Sequence, residues 1–143
     1  MSTPDVASAT PIPDAAQSDG KSALRSSCPV AGALDLVGDR WTLLVIRDLL
    51  RGKRRYGDLA ASSERIPTNI LADRLRRLEQ GGVVERVQYS VRPPRYEYRL
   101  TPRGKALSPA IRSLAAWGLE YVPGTKVPPD LRSTIKQDEP AAD

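Results

Sequence analysis

The stretch Thr68–Gln80, TNILADRLRRLEQ, is closed at once by Gly81-Gly82 and constrains the fold more than any other part of the chain. At 100° per residue, Ile70, Leu71, Leu75 and Leu78 fall within an arc of about 140°. Asn69, Ala72, Asp73, Arg76 and Gln80 fall on the opposite side, with Arg77 on the flank. The spacing predicts a helix with one oily stripe, stopped by glycine. Such a stripe must be buried against a neighbour. The segment WTLLVIRDLL, within a helix expected over Arg40–Leu50, is apolar nearly all round and reads as the centre of a small domain. Asp39 is placed to cap that helix and Gly52 to end it.

The remaining elements fall into order around this pair. Cys28–Val37 carries Val30, Leu34 and Val37 at helical spacing before Gly38. Lys53-Arg54-Arg55 suits a short extended piece, and Tyr56–Ser62 about two helical turns. A brief turn over 63–67 then leads into Thr68. After Gly82, VVERVQYSV and RYEYRL are rich in β-branched and aromatic residues and flank Arg92-Pro93-Pro94, which predicts a hairpin with a stiff tip. Thr101-Pro102 reads as a cap followed by proline at the first helical position, opening a last helix over Arg103–Tyr121. The fold class expected is α+β, mainly helical. Two short helices across a tight turn, followed at once by a hairpin, describe a winged helix-turn-helix.

Composition narrows the chemistry. Residues 1–27 and 123–143 are rich in Pro, Ala, Ser and Asp, and are expected to be disordered or flexible tails around one domain at 28–122. A domain of that size is only modestly stable alone, so a second subunit would help it. No apolar run is long enough to span a bilayer, and Met1–Gly20 shows no secretory leader, so the expected location is cytoplasmic. The chain has no histidine and one cysteine, Cys28, so the usual zinc ligands, His-based acid–base chemistry and an internal disulfide are missing. No phosphate-cradling glycine loop or facing pair of carboxylates appears, and Asp39 and Asp48 read as a cap and a surface charge. No enzyme, metal or cofactor is expected.

Charge points elsewhere. Residues 28–122 hold 17 Lys and Arg, 15 of them Arg, against 10 acids, a net +7 where the whole chain carries +5. Arginine is the forked donor suited to phosphates and guanine edges, so the charge suits double-stranded DNA as a partner, the other reading being a merely solvated, arginine-biased surface. On the predicted second helix, Thr68, Asn69 and Ala72 are small enough for close approach to base edges, and asparagine can bond adenine through two atoms. Arg76 and Arg77 can reach guanine or phosphate. Arg74 lies beside the apolar arc and is expected to pair internally. Asp73 has two readings: it accepts from a cytosine amino group, or it orients Arg76 or Arg77 along the helix. Arg92 and Arg95 flank the hairpin tip and Arg55 precedes the helix pair, all suited to phosphates or a narrow groove. The same layout also suits a protein-docking winged helix or a non-specific DNA coat.

Taken together, Cys28-Pro29-Val30, Gly38-Asp39-Arg40-Trp41-Thr42, Leu49-Leu50-Arg51-Gly52, Ile66-Pro67-Thr68-Asn69-Ile70-Leu71, Pro93-Pro94-Arg95-Tyr96-Glu97-Tyr98 and Leu100-Thr101-Pro102-Arg103-Gly104 resemble the HxlR-type winged helix-turn-helix regulators, a MarR-related group. The resemblance covers 28–122 and neither tail. It implies a sequence-specific transcription regulator, a homodimer built on the first and last helices, with Val30, Leu34, Leu114, Trp117 and Tyr121 as interface residues. Both segments hold more apolar groups than the small core can absorb. The resemblance also implies a candidate thiol switch at Cys28, where a helix start can lower a thiol pKa; the other reading is a small apolar filler at the interface. Nothing in the residues specifies a small-molecule effector.

Overall fold

A computed structural model describes residues 24–128. The tails predicted at 1–27 and 123–143 lie outside the described residues, apart from 24–27 and 123–128. Of these, Arg25 donates to Asp35 at 2.6 Å and to the Ala31 carbonyl at 3.0 Å, and Ser26 Oγ accepts the Cys28 N–H at 3.0 Å. The elements are α1 (Pro29–Val37), α2 (Thr42–Leu50), α3 (Tyr56–Ala60), α4 (Thr68–Gln80), β1 (Val84–Val91), β2 (Pro94–Leu100), α5 (Pro102–Lys105) and α6 (Ser108–Tyr121). The chain divides between Ala106 and Leu107 into two compact units.

In the first unit the core follows the two central helices in the main, although Ile70 of the expected stripe is only half-buried and Leu50 at the end of α2 is exposed. Val45, Ile46 and Leu49 of α2 are buried, as are Leu71, Leu75 and Leu78 of α4, joined by Leu59, Ile66, Val83, Val84 and Leu100. Asp39 caps α2 from two residues further out than expected: Oδ2 accepts the N–H groups of Trp41 (3.0 Å) and Thr42 (3.2 Å), and Oδ1 accepts the Thr42 hydroxyl. The helix therefore starts at Thr42 rather than Arg40.

The hairpin is antiparallel, Val84 facing Leu100 and Val91 facing Pro94 across a two-residue tip, Arg92-Pro93, whose peptide bond is cis. A bulge between Gln88 and Ser90 shifts the register at Tyr89. The extended piece expected at 53–55 attaches to this hairpin, since the Tyr98 N–H donates to the Arg54 carbonyl at 2.6 Å. Thr101 caps α5, accepting the Gly104 N–H at 3.2 Å. Gly104 is required there: a Cβ would stand 2.2 Å from the Val83 carbonyl oxygen.

Two further expectations are corrected. The last helix is not continuous over 103–121 but breaks at Ala106-Leu107. Pro109, in the first turn of α6, has no N–H to donate and its ring would clash with the carbonyl four residues back in an uninterrupted helix. Asp48 is not a surface charge; it is buried, 2% exposed, under Arg47 and Lys53.

Candidate nucleic-acid interface

The helix pair is α3 and α4, joined by a turn that α2 grips from behind. Arg47 of α2 holds Glu64 through both guanidinium arms, Nη1 to Oε2 at 3.0 Å and Nη2 to Oε1 at 2.8 Å. Ser62 Oγ donates to the same Oε1 at 2.8 Å. The Arg47 guanidinium overcomes a burial penalty that opposes it and, with Ser62, holds the Glu64 carboxyl at a pKa of about 2. Within this turn Arg65 takes a left-handed backbone, φ 58°. At its far end Tyr56 donates its hydroxyl proton to the Thr68 carbonyl at 2.7 Å, fixing where α4 begins relative to α3. No side chain caps α4, so its opening N–H groups stay available to an anion.

The exposed side of α4 carries the residues expected there. Thr68, Asn69, Ala72 and Arg76 are exposed, while Asp73 and Arg77 are half-buried. Arg74 turns inward, as its place beside the apolar arc predicted. It donates Nε–H to Asp39 Oδ2 at 2.9 Å and Nη1–H to Asp73 Oδ2. Asp73 Oδ1 in turn accepts from Arg76 Nη2 at 2.6 Å. Of the two arginines that Asp73 was expected to reach along the helix, it pairs with Arg76.

The hairpin supplies the flank. Arg92, in the tip, and Arg95, near the start of β2, are both exposed, and Ser90 Oγ donates to the Pro93 carbonyl at 3.0 Å. Arg55 is exposed and stacks over the Tyr89 ring at 4.6 Å, and Arg86 stacks over Tyr96 at 4.4 Å. These contacts and the Arg47–Glu64 clamp were not read from the sequence. The spacing Ser62-x-Glu64 after a short helix was the only local trace of the clamp, and a bulge that brings Tyr89 to Arg55 leaves none.

The residues named for self-association are uncovered. Val30 and Leu34 are exposed on α1. On α6, in the second unit, Leu114, Trp117 and Tyr121 are exposed, and the Trp117 and Tyr121 rings lie 5.3 Å apart. Cys28 is exposed at the start of α1. The N–H groups of Ala31 and Val30 hold its thiol below the ordinary value, with a smaller contribution from the Arg25 charge.

A buried helix backing a helix–turn–helix, with a two-stranded wing behind it, defines a winged helix-turn-helix protein. The HxlR-like helix-turn-helix family model matches residues 36–126, and the chain belongs to that family. The match starts within α1 and runs four residues past the predicted domain end. Among curated relatives, the uncharacterized HTH-type transcriptional regulator Rv3095 of Mycobacterium tuberculosis is 49% identical over 100 residues, 70% of this chain and 63% of that protein. The chain thus matches less than two thirds of that relative's length. The regulator YdeP of Bacillus subtilis is 36% identical over 66% of this chain and 73% of its own. Among solved structures, PA1607 superposes with a TM-score of 0.65 at 39% identity, covering 73% of both chains. The redox regulator HypR in its reduced form gives 0.61 at 32% identity over 65% of this chain and 92% of its own. Reduced YodB from B. subtilis gives 0.58 at 31% identity, over 71% of this chain and 100% of its own.

Proposed function

We propose that the protein is a sequence-specific transcription regulator that binds double-stranded DNA in the cytoplasm as a homodimer. The observation that carries this reading is the division of α4: Leu71, Leu75 and Leu78 are buried against the domain, while Asn69, Ala72 and Arg76 stand exposed on the other side. An amide, a methyl-sized gap and a guanidinium on one exposed helix face suit the edges of bases in a major groove. Thr68 and the uncapped start of α4 suit a phosphate, as do Arg55, Arg92 and Arg95 beside it. Asp73 acts on the duplex through Arg76, and Arg77 contacts it from the flank.

The apolar side chains left exposed on α1 and on α6 support pairing of two copies. Two recognition helices related by a two-fold axis would meet half-sites about 34–36 Å apart, so the operator is a palindrome. Footprinting on the protein's own promoter region tests this reading. A protected palindrome is expected, and Arg76→Ala should cost about 1–3 kcal/mol at one base position. Uniform coating without a protected site would favour the non-specific alternative, and no binding the protein-docking one.

Cys28 gives the regulator a route to oxidant response, supported by its exposure and its lowered pKa. As the chain has a single cysteine, any disulfide it forms joins two subunits or carries a small thiol. Diamide treatment followed by non-reducing electrophoresis and a DNA-binding titration tests it; no dimer band, no adduct and unchanged affinity would remove the switch.

A further inference from the structure

An acid on the DNA-facing side of a recognition helix repels phosphates, and Asp73 is such an acid. Its surroundings explain its presence. Both carboxylate oxygens are occupied, Oδ1 by Arg76 at 2.6 Å and Oδ2 by Arg74. Arg74 is fixed in turn by Asp39 at 2.9 Å. Asp39 is anchored by two backbone N–H groups at the start of α2 and by the Thr42 hydroxyl. The series runs from the backbone of the central helix, across the packed junction of α2 and α4, to one guanidinium in solvent. Asp39 and Arg74 are the less exposed members, at 25% and 21%, and exposure rises from there to 36% at Asp73 and 63% at Arg76.

We propose that Asp39 and Arg74 are positioning residues for base readout: they fix Asp73, and Asp73 fixes the Arg76 guanidinium in the orientation that discriminates a base. The proposal rests on the reading of α4 as the base-reading helix. A lone exposed pair three residues apart on a helix orders little, because two mobile side chains must both be held. Here only Arg76 is mobile. Asp73 is gripped from its inner side by a guanidinium that is itself tied to a helix cap. The charge of Arg74 also offsets that of Asp73, so the series presents a net positive end to the duplex. Bidentate contact with guanine requires a planar fork held at one angle, and a preset fork loses less freedom on binding than a free one.

The test uses the full chain and a randomised double-stranded oligonucleotide library. Sites enriched by the wild-type protein define the preferred base at each position, and Arg76→Ala identifies the position that Arg76 discriminates. Asp73→Asn and Asp39→Asn are then scored at that position. Asparagine at 39 retains an oxygen for the Trp41 and Thr42 N–H groups, so the cap survives while the charge is lost. Both variants are expected to reduce discrimination there by about fivefold or more, to leave the other positions within about twofold, and to add nothing when Arg76 is already alanine. Arg74→Gln, which removes the guanidinium that links the two carboxylates and leaves both acids in place, must give the same pattern and decides the matter if Asp39→Asn melts early. Unchanged discrimination at that position, or a loss spread evenly over all positions, overturns the relay. If Arg76→Ala alters no base preference, base reading by Arg76 falls and the relay with it. If the library enriches no site at all, the proposed function fails as well.

Discussion

Arg47 and Glu64 meet through two parallel hydrogen bonds, 2.8 and 3.0 Å, and so tie the turn of the helix pair to the central helix. The Glu64 carboxyl is held at about 2 in the folded chain, below its ordinary value of 4.5. A carboxylate depressed on folding adds stability that is complete above the unfolded pKa and is lost as pH falls toward the folded one. Glu64→Gln should therefore destabilise the domain at pH 7 by about 0.5–1 kcal/mol, the range for a partly exposed pair. The gap to wild type should narrow between about pH 4.5 and pH 2. Urea unfolding at a series of pH values measures it, and a gap independent of pH would show that the pair carries no linkage.

Asp48 lies beneath that clamp and is buried between Arg47 and Lys53, whose nitrogens stand 2.9 and 3.7 Å away. Removing one partner of a buried ion pair leaves the other uncompensated, at about 3–5 kcal/mol when both are deep. Arg47 keeps Glu64 and Lys53 reaches solvent, so Asp48→Ala should cost about 2–3 kcal/mol in chemical denaturation. A loss below about 1 kcal/mol would mean that solvent reaches the site.

Gly104 sits where α5 crosses the end of the hairpin, and a Cβ there would stand 2.2 Å from the Val83 carbonyl oxygen and 2.8 Å from a Leu100 methyl. The first neighbour is backbone and cannot swing away. Gly104→Ala should lower stability by about 2–3 kcal/mol through overpacking, whereas Gly57→Ala, with nothing within 4 Å, should change it little. Thermal melts of the two variants side by side check the contrast.

The parts of this fold legible in the sequence were those that repeat. The bounds of Thr68–Gln80 followed from a 3.6-residue stripe and a glycine stop, the hairpin from β-branched runs around Arg92-Pro93, and the inward turn of Arg74 from its angle beside Leu71 and Leu78. What stayed hidden depends on contacts between distant residues. Asp48 looks like a surface acid until Arg47 and Lys53 fold over it, and Tyr56 gives no sign that its hydroxyl will meet the Thr68 carbonyl twelve residues on. The break before α6 is masked for a local reason: the apolar marks Leu107, Ile111 and Leu114 keep helical spacing straight through Pro109, so periodicity and proline point opposite ways. In the candidate interface, the identities of Asn69, Ala72 and Arg76 came from one helix wheel, whereas the Asp39–Arg74–Asp73 support joins residues up to 35 positions apart.

If the wing anchors phosphates while α4 reads bases, the two tasks separate in binding data. Arg92 and Arg95 are exposed around a two-residue tip, and neither shares the series that fixes Arg76. A side chain that neutralises one phosphate releases condensed counterions, and its loss reduces the slope of log affinity against log salt by about 0.9. Arg92→Ala and Arg95→Ala should each weaken binding by a similar factor on preferred and scrambled duplexes, and together flatten the salt slope by about 1.8 for each wing engaged. Arg76→Ala should do the reverse, costing more on the preferred duplex than on the scrambled one. Fluorescence anisotropy titrations at several salt concentrations distinguish the two patterns. A wing variant that altered base preference while leaving the slope unchanged would move the tip from the backbone into a groove.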